Sequence, residues 1–120
     1  MTRKPRSVAS CCLPALLVLA GCSRMSTDSA DANARELLAR HHCGSCHVIP
    51  GVPAAQGRVA VSLEHFGRRS YIAGRIPNDD AQLARWLMDP ASLVPGTTMP
   101  AMGVSADDAQ VMAAYLRRQR

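Results

Sequence analysis

Residues Cys43-Gly44-Ser45-Cys46-His47 form a short motif of two thiols followed by an imidazole. Residues three apart lie on the same side of a helical turn, so Cys43 and Cys46 can reach one edge of a single flat group. His47 comes directly after them and can offer a ring nitrogen to a metal. The spacing therefore predicts that the three side chains act together on one bound group.

The C-x-x-C-H pattern is typical of covalent c-type haem attachment, with two thioethers and an iron-binding histidine. Three other interpretations are open. A redox dithiol needs a βαβ context, and no strand-rich run surrounds the motif. A zinc site with His41, His42 or His47 needs four ligands, usually in two spaced pairs, and no second pair is present. A plain disulfide suits an exported protein.

The N-terminus has the features of an export signal. Three basic residues precede a short apolar run over residues 8–20, which is too short for a comfortable membrane span. The run ends in Leu19-Ala20-Gly21-Cys22, which resembles the lipobox of bacterial lipoproteins. The resemblance implies that residues 1–21 are a lipoprotein signal peptide and that Cys22 is lipidated. The alternative is an ordinary signal peptide cut nearby, with Cys22 left as a free thiol.

The cysteine count agrees with this interpretation. Of the five cysteines, Cys11 and Cys12 lie in the signal peptide and Cys22 carries the lipid. Only Cys43 and Cys46 then remain, so neither is left unpaired in an oxidising compartment. The net charge of +5 comes partly from the basic residues of the signal peptide. Because no basic stripe with interleaved aromatic residues is present, we expect no nucleic-acid partner.

The remaining sequence predicts a tether and one helical domain. Residues 22–30 are small and polar and predict a flexible tether, and residues 31–120 form the domain. Apolar periodicity predicts helices over 31–42 and 81–88, and a last helix that ends near residue 117. Predicted helix caps are Asp79 or Asp80 and Ser105, and Pro95-Gly96 predicts a type II turn. No sustained strand alternation is visible, which favours an all-α fold.

The order of these features resembles a class I cytochrome c over roughly residues 31–116. The shared order is a helix, C-x-x-C-H, a Pro/Gly loop, a W-L-x-D-P helix, P-G-T-T-M-P and a helix that ends in A-Y-L. The resemblance implies a small all-α domain wrapped around one covalently bound haem, with crossing N- and C-terminal helices. The residues that it brings together at the crossing are Leu37, Leu38, Met112, Tyr115 and Leu116.

The resemblance also implies the cofactor and the roles of the site residues. The cofactor is one covalent haem c with its iron. Cys43 and Cys46 bind the haem covalently, His47 is the proximal iron ligand and Met99 is the distal ligand. Trp86 packs beside the haem, near the methionine.

Met99 and Met102 compete for the distal position. Pro95-Gly96 and Pro100 stiffen the segment on both sides of Met99, which lowers the entropy cost of holding its sulfur in place. The P-G-T-T-M run also has this methionine at the family's ligand position. Met102 would need the loop to slide. Met88 and Met112 are weaker candidates, because packing within their helices explains both. His65 is the candidate that remains if neither loop methionine is the ligand.

The chain departs from the family beside the proximal histidine. Many members have G-P-x-L, in which the proline carbonyl accepts the histidine N–H, and the matching run here is Ala60-Val61-Ser62-Leu63. The Val61 carbonyl can still accept this bond, but a loop without the proline is less rigid. Arg68, Arg69 and Arg75 are candidates for the haem propionates, although for any one of them a solvated surface arginine is the simpler interpretation.

These features predict an electron carrier rather than an enzyme. A His/Met iron has no open position for a substrate, and we expect redox proteins to dock transiently on a monomer. The lipid would anchor it in the bacterial cell envelope, facing the periplasm. Ser23 after Cys22 favours the outer membrane over the inner one. The alternatives are a haem-based ligand-binding or sensor protein, and a fixed electron-transfer subunit of a dehydrogenase or terminal oxidase complex.

Overall fold

The computed structural model describes residues 21–120, with side chains from Thr27 onward. The predicted signal peptide, except for the backbone of Gly21, and the side chain of Cys22 lie outside the described residues. The regular elements of the described part are α1 Gly21–Arg40, β1 Tyr71–Ile72, β2 Ile76–Pro77, α2 Asp80–Met88, α3 Pro90–Leu93 and α4 Ala106–Arg118, with 3-10 turns at Cys43–Ser45 and Phe66–Arg68. The predicted all-α class is confirmed.

Helix α1 begins ten residues before the predicted start at Asp31. It includes residues 22–30, for which the sequence predicts a flexible tether, because no proline interrupts the backbone there. The side chains of residues 27–30 are exposed, so packing against the domain begins only further along. The buried stripe of this helix is Ala34, Leu37 and Leu38. No described helix, α1 included, is both long enough and apolar enough to cross a membrane.

The predicted caps of α2 and α4 are confirmed. The Asp79 carboxylate accepts from the Gln82 N–H at 2.8 Å, and the Ser105 hydroxyl accepts from the Asp108 N–H at 3.2 Å. Each cap satisfies a backbone donor that the first helical turn leaves without a partner. Arg118 at the end of α4 places positive charge beside the free carbonyls, which complements the helix dipole.

Pro90 ends α2, as predicted, but it also begins a short helix that the sequence analysis does not anticipate. Proline suits a first helical position, because its fixed φ is helical and its missing N–H is not needed there. Asp89 caps this helix α3, and its carboxylate accepts from the Ser92 N–H at 3.3 Å.

A small antiparallel hairpin joins the middle loop, residues 46–70, to α2. Its strands pair Tyr71 with Pro77 and Ile72 with Ile76. Ala73 and Gly74, which follow β1, both have positive φ, at 49° and 69°. Two-residue strands are too short to produce a periodic pattern, which is why the sequence analysis does not predict them.

Helix α4 is central to the packing, since it contacts both α1 and α2. The five residues expected at the contact of the first and last helices all belong to the core, and each is at most 3% exposed. Burial of an aliphatic side chain of this size stabilises the fold by about 1.5–3 kcal/mol. The last turn of α4 adds two ion pairs: Arg118 binds Asp31 at the start of the domain, and Arg117 binds Asp80 at 3.0 Å.

Candidate functional site

The two-cysteine motif lies in a tight turn directly after α1. His42 adopts a left-handed conformation, with φ of 54°, and so ends the helical path and starts the 3-10 turn Cys43–Ser45. The His47 N–H donates to the Cys43 carbonyl at 3.1 Å and closes the turn. Cys43 and Cys46 are free, half-buried thiols. The turn therefore holds two thiols and the imidazole of His47 within five residues.

The shape of this turn is fixed by close contact with the following loop. The Gly57 N–H donates to the Gly44 carbonyl at 3.0 Å. A Cβ at Gly44 would lie 2.6 Å from the Cα of Ala55, and one at Gly57 would lie 2.5 Å from the Ser45 carbonyl oxygen. The sequence analysis assigns no role to these glycines. A glycine inside the motif is the signal that could have revealed such close packing.

The imidazole of His47 is oriented by the backbone. Its Nδ1 lies 2.6 Å from the Val61 carbonyl oxygen. A carbonyl can only accept, so Nδ1 carries the proton and Nε2 keeps a free lone pair. The bond also raises the basicity of Nε2, as in metal sites where a histidine is held by a backbone carbonyl. The prediction that Val61 can replace the proline as acceptor is confirmed.

The surroundings of the two-cysteine turn support neither a redox dithiol nor a structural zinc site. Burial raises the pKa of the Cys43 thiol, the neighbouring Cys46 raises it further, and a backbone hydrogen bond opposes both. Redox dithiols need a lowered pKa, because the thiolate is the reactive form. Within the described residues, no cluster of three or more histidine, cysteine or acidic side chains could hold a metal ion. A structural zinc site is therefore not supported.

The methionine loop has the predicted turn. The Thr97 N–H donates to the Val94 carbonyl at 3.1 Å, and Gly96 at the third position has φ of 82°, as a type II turn requires. Met99 is half-buried against the core, and its N–H donates to the Thr97 hydroxyl at 3.3 Å. This turn and the core together fix the position of Met99.

The other methionines have different environments. Met102 is 37% exposed, and its carbonyl accepts from His41 Nδ1 at 3.2 Å. Met112 is fully buried in α4, as the packing interpretation predicts. Met88 is also 37% exposed at the end of α2, so packing does not explain it, contrary to expectation. Exposure thus separates Met99 from both Met88 and Met102.

The remaining candidates divide between the core and the surface. Trp86 is buried in α2 and belongs to the same core against which Cys43 and Met99 pack. His65 is exposed, in a left-handed conformation before the turn Phe66–Arg68. Arg68 and Arg75 are exposed, whereas Arg69 is half-buried and bonded within the protein.

Asn78 is a structural residue that the sequence analysis does not identify. It is buried, and its amide group donates to the Phe66 carbonyl at 3.1 Å and to the Arg69 carbonyl at 3.0 Å. Its backbone N–H donates to the Ser70 carbonyl. Asn78 therefore holds residues 66–70 of the middle loop through three hydrogen bonds. Its Oδ1 is a buried acceptor with no donor among the described residues.

Comparison with known proteins gives the family. A protein-family model described as Cytochrome c matches residues 32–120. The chain is 35% identical over 92 residues to cytochrome c oxidase subunit 2 of Alkalihalophilus pseudofirmus, which is 76% of this chain and 26% of that protein. It is 33% identical over 82 residues to cytochrome c oxidase subunit 2 of Bacillus subtilis, which is 67% of this chain and 23% of that protein. The chain thus spans about a quarter of these curated relatives. No solved structure matches it.

Proposed function

Since the chain belongs to the cytochrome c family and carries covalent haem c with its iron, we propose that it transfers single electrons from an anchored position in the bacterial cell envelope. The observation that carries this proposal is the His47 imidazole. Its Nδ1 is bonded to the Val61 carbonyl, so its Nε2 is free and basic, directly after two thiols on one turn.

The side chains of this turn fit haem c. Cys43 and Cys46 would form the thioethers, since they lie on one turn and neither has a disulfide partner among the described residues. Burial raises the pKa of the Cys43 thiol, so its surroundings favour the thiol over the thiolate. His47 supplies the proximal nitrogen. The bound group contributes a one-electron ferric/ferrous couple, and the chain tunes its potential through these ligands and the surrounding core.

Met99 supplies the distal sulfur, and Trp86 packs beside the group from α2. Half-burial of Met99 against the core supports this choice, whereas Met102 is exposed and its carbonyl is bound by His41. A thioether ligand favours the reduced metal and raises the potential. If His47 and Met99 both hold the iron, no position would be left on it for a substrate, and the proposed role is electron transfer without bond chemistry at this chain.

Two measurements test electron transfer against the ligand-binding alternative. After denaturing electrophoresis the wild-type band should keep haem-linked peroxidase staining, and a Cys43→Ala/Cys46→Ala variant should lose it. The visible spectrum of the reduced protein should not change under carbon monoxide, because Met99 occupies the distal position. Rapid carbon monoxide binding at neutral pH would instead favour a sensor.

A terminal oxidase is the candidate electron acceptor. The supporting observation is that the similar proteins are named as subunits of cytochrome c oxidase. Reduced protein added to cytochrome-depleted membranes should be reoxidised in a cyanide-sensitive manner. Copurification with an oxidase at high salt would identify a fixed subunit, whereas recovery of the chain alone would identify a transient carrier. The absence of any cyanide-sensitive oxidation would exclude this acceptor.

The anchor is a lipid on Cys22, facing the periplasm, and Ser23 favours the outer membrane. The lipobox-like sequence supports this part of the proposal. Helix α1 continues through residues 22–30 and would add about 14 Å between lipid and domain at 1.5 Å per residue. Wild type should sediment with outer-membrane vesicles, and Cys22→Ala should be released. Wild type with an unmodified N-terminus in the soluble fraction would disprove the anchor.

A further inference from the structure

The segment that accepts the His47 hydrogen bond has valine where the family often has proline. Val61 is 62% exposed, so its side chain contributes little packing. Its N–H donates to no protein acceptor in the described part of the chain. The Val61 carbonyl oxygen lies 2.6 Å from His47 Nδ1 and orients the imidazole. Neither the side chain nor the N–H of Val61 holds this carbonyl in position. Its neighbours must hold it.

Hydrogen bonds on both sides of Val61 hold the segment. The Ala60 N–H donates to the Cys46 carbonyl at 2.9 Å, and the Leu63 N–H donates to the Val48 carbonyl at 2.8 Å. The first bond ties the segment to the turn that carries the thiols, and the second ties it to the residue after His47. Among the described residues, the Ser62 carbonyl has no backbone partner, although it lies only one peptide unit after the His47 acceptor.

Arg69 binds that carbonyl. Its Nη2 donates to the Ser62 oxygen at 2.6 Å, a short distance typical of a charged donor. The guanidinium carbon lies 5.5 Å from the centre of the Phe66 ring, and Phe66 is buried. Stacking on an aromatic face fixes the plane of an arginine and so the direction of its donors. The peptide unit after Ser62 is thus held at its oxygen by Arg69 and at its nitrogen by Val48.

We propose that Arg69 is a positioning residue for His47: by holding the Ser62 carbonyl it keeps the adjacent Val61 carbonyl on Nδ1, the role that a proline ring at position 61 would fill by rigidity. The inference rests on the proposed axial role of His47. It predicts that loss of the arginine and introduction of the proline have opposite effects on one hydrogen bond.

The test uses solvent exchange of the His47 Nδ1 proton, measured by NMR in the reduced holoprotein. Arg69→Met keeps the apolar stem over Phe66 but removes the donor, and it should accelerate exchange about tenfold, the equivalent of one lost hydrogen bond. Arg68→Met is the matched control, since the neighbouring arginine is exposed and loses the same charge. Exchange in this control should equal that of wild type.

The decisive variant is Val61→Pro in the Arg69→Met background. Proline costs no hydrogen bond here, because the Val61 N–H has no acceptor among the described residues. The substitution should return exchange to the wild-type rate. Unchanged exchange in Arg69→Met, equal acceleration in Arg68→Met, or no rescue by proline would each overturn the proposal. Should Arg69→Met alone not accumulate as holoprotein, the double variant must accumulate, and its failure would also overturn the proposal.

A separate readout distinguishes failure of this inference from failure of the proposed function. In the oxidised protein an iron-bound His47 must show strongly hyperfine-shifted ring protons. Their absence would disprove the axial role of His47. Shifted His47 protons with unaltered exchange in Arg69→Met would disprove the role of Arg69 alone.

Discussion

At the residue scale, two methionines three positions apart have opposite environments. Met99 packs half-buried against the core, whereas Met102 is exposed and its carbonyl accepts from His41. A metal ligand must be held at low entropic cost, which favours the side chain that the fold already restrains. The half-buried environment of Met99 is thus an argument for the proposal that Met99, rather than Met102, is the ligand.

Met99→Ala should abolish the far-red sulfur-to-iron charge-transfer band of the oxidised protein and lower its reduction potential. Met102→Leu should leave the band and the potential unchanged, because its side chain is exposed and its backbone bond to His41 survives. Visible spectroscopy and a redox titration of both variants provide the check. The reverse pattern would assign the ligand role to Met102, and retention of the band in both variants would exclude each as the ligand.

Asn78→Ala should destabilise the protein by about 2–4 kcal/mol, because two carbonyls lose the amide group that donates to them. Asn33→Ala is the control: Asn33 is exposed on α1, so we expect a change within about 0.5 kcal/mol. Urea unfolding followed by circular dichroism measures both. Equal effects would show that the hydrogen bonds of the Asn78 amide do not stabilise the fold.

At this scale, an interaction could be predicted where the family pattern indicates the partner, whatever the separation along the chain. The Val61 carbonyl could be identified as the His47 acceptor because every residue at that position offers a carbonyl. Asn78 could not, since its donors point to a loop that only the folded chain brings near. The interaction of Arg69 with Ser62 was missed for the same reason.

At the element scale, the loop after the two-cysteine motif contacts α4 at Tyr115. The Tyr115 hydroxyl donates to the Pro50 carbonyl at 2.5 Å. Gly51 follows with φ of 73°, and a Cβ there would lie 2.6 Å from the same hydroxyl oxygen. The loop can approach the helix this closely only because residue 51 has no side chain.

Gly51→Ala should therefore destabilise the protein more than Gly74→Ala. Both glycines have positive φ, so both substitutions cost about 1–2 kcal/mol of backbone strain. Only at Gly51 does the new methyl group meet Tyr115, whereas Gly74 faces open space, which adds about 1–3 kcal/mol. Comparison of the two denaturation midpoints isolates the clash, and equal midpoints would contradict it.

Elements whose signals are local could be predicted from the sequence. The caps Asp79 and Ser105 and the turn at Pro95-Gly96 depend on a few adjacent residues, and the structure has all of them. The hairpin at 71–77 could not be predicted, because it is set by pairing in the folded chain. The start of α1 at Gly21 could not either, since its first turns have no apolar stripe.

At the scale of the whole molecule, the domain has few aromatic residues and depends on one shared core. Phe66, Trp86 and Tyr115 are the aromatic residues of that core, and Cys43 and Met99 pack at its edge. A domain of this size buries a modest share of its surface. Haem c should therefore contribute directly to stability, since it stays attached on unfolding but buries its apolar surface against the core only in the folded state.

The Cys43→Ala/Cys46→Ala variant should show weaker far-ultraviolet helical dichroism and a broader thermal transition than wild type. Its purified form lacks the covalent group, so the core residues that this group would cover are exposed to water. The control is Cys22→Ala, which leaves the motif intact and should unfold as wild type does. A sharp, wild-type transition in the double alanine variant would show that the polypeptide core is sufficient.

The ion pair between Asp31 and Arg118 brings the two ends of the packed domain together, because it joins α1, just before its first buried residue Ala34, to the last turn of α4. A unit whose entry and exit points are neighbours can be inserted into a host polypeptide, or appended to one, without stretching either partner. The same fold can therefore be transferred between genes as one unit. Its position within a longer chain then depends only on the linkers that join it to its neighbours, and the domain itself keeps its fold.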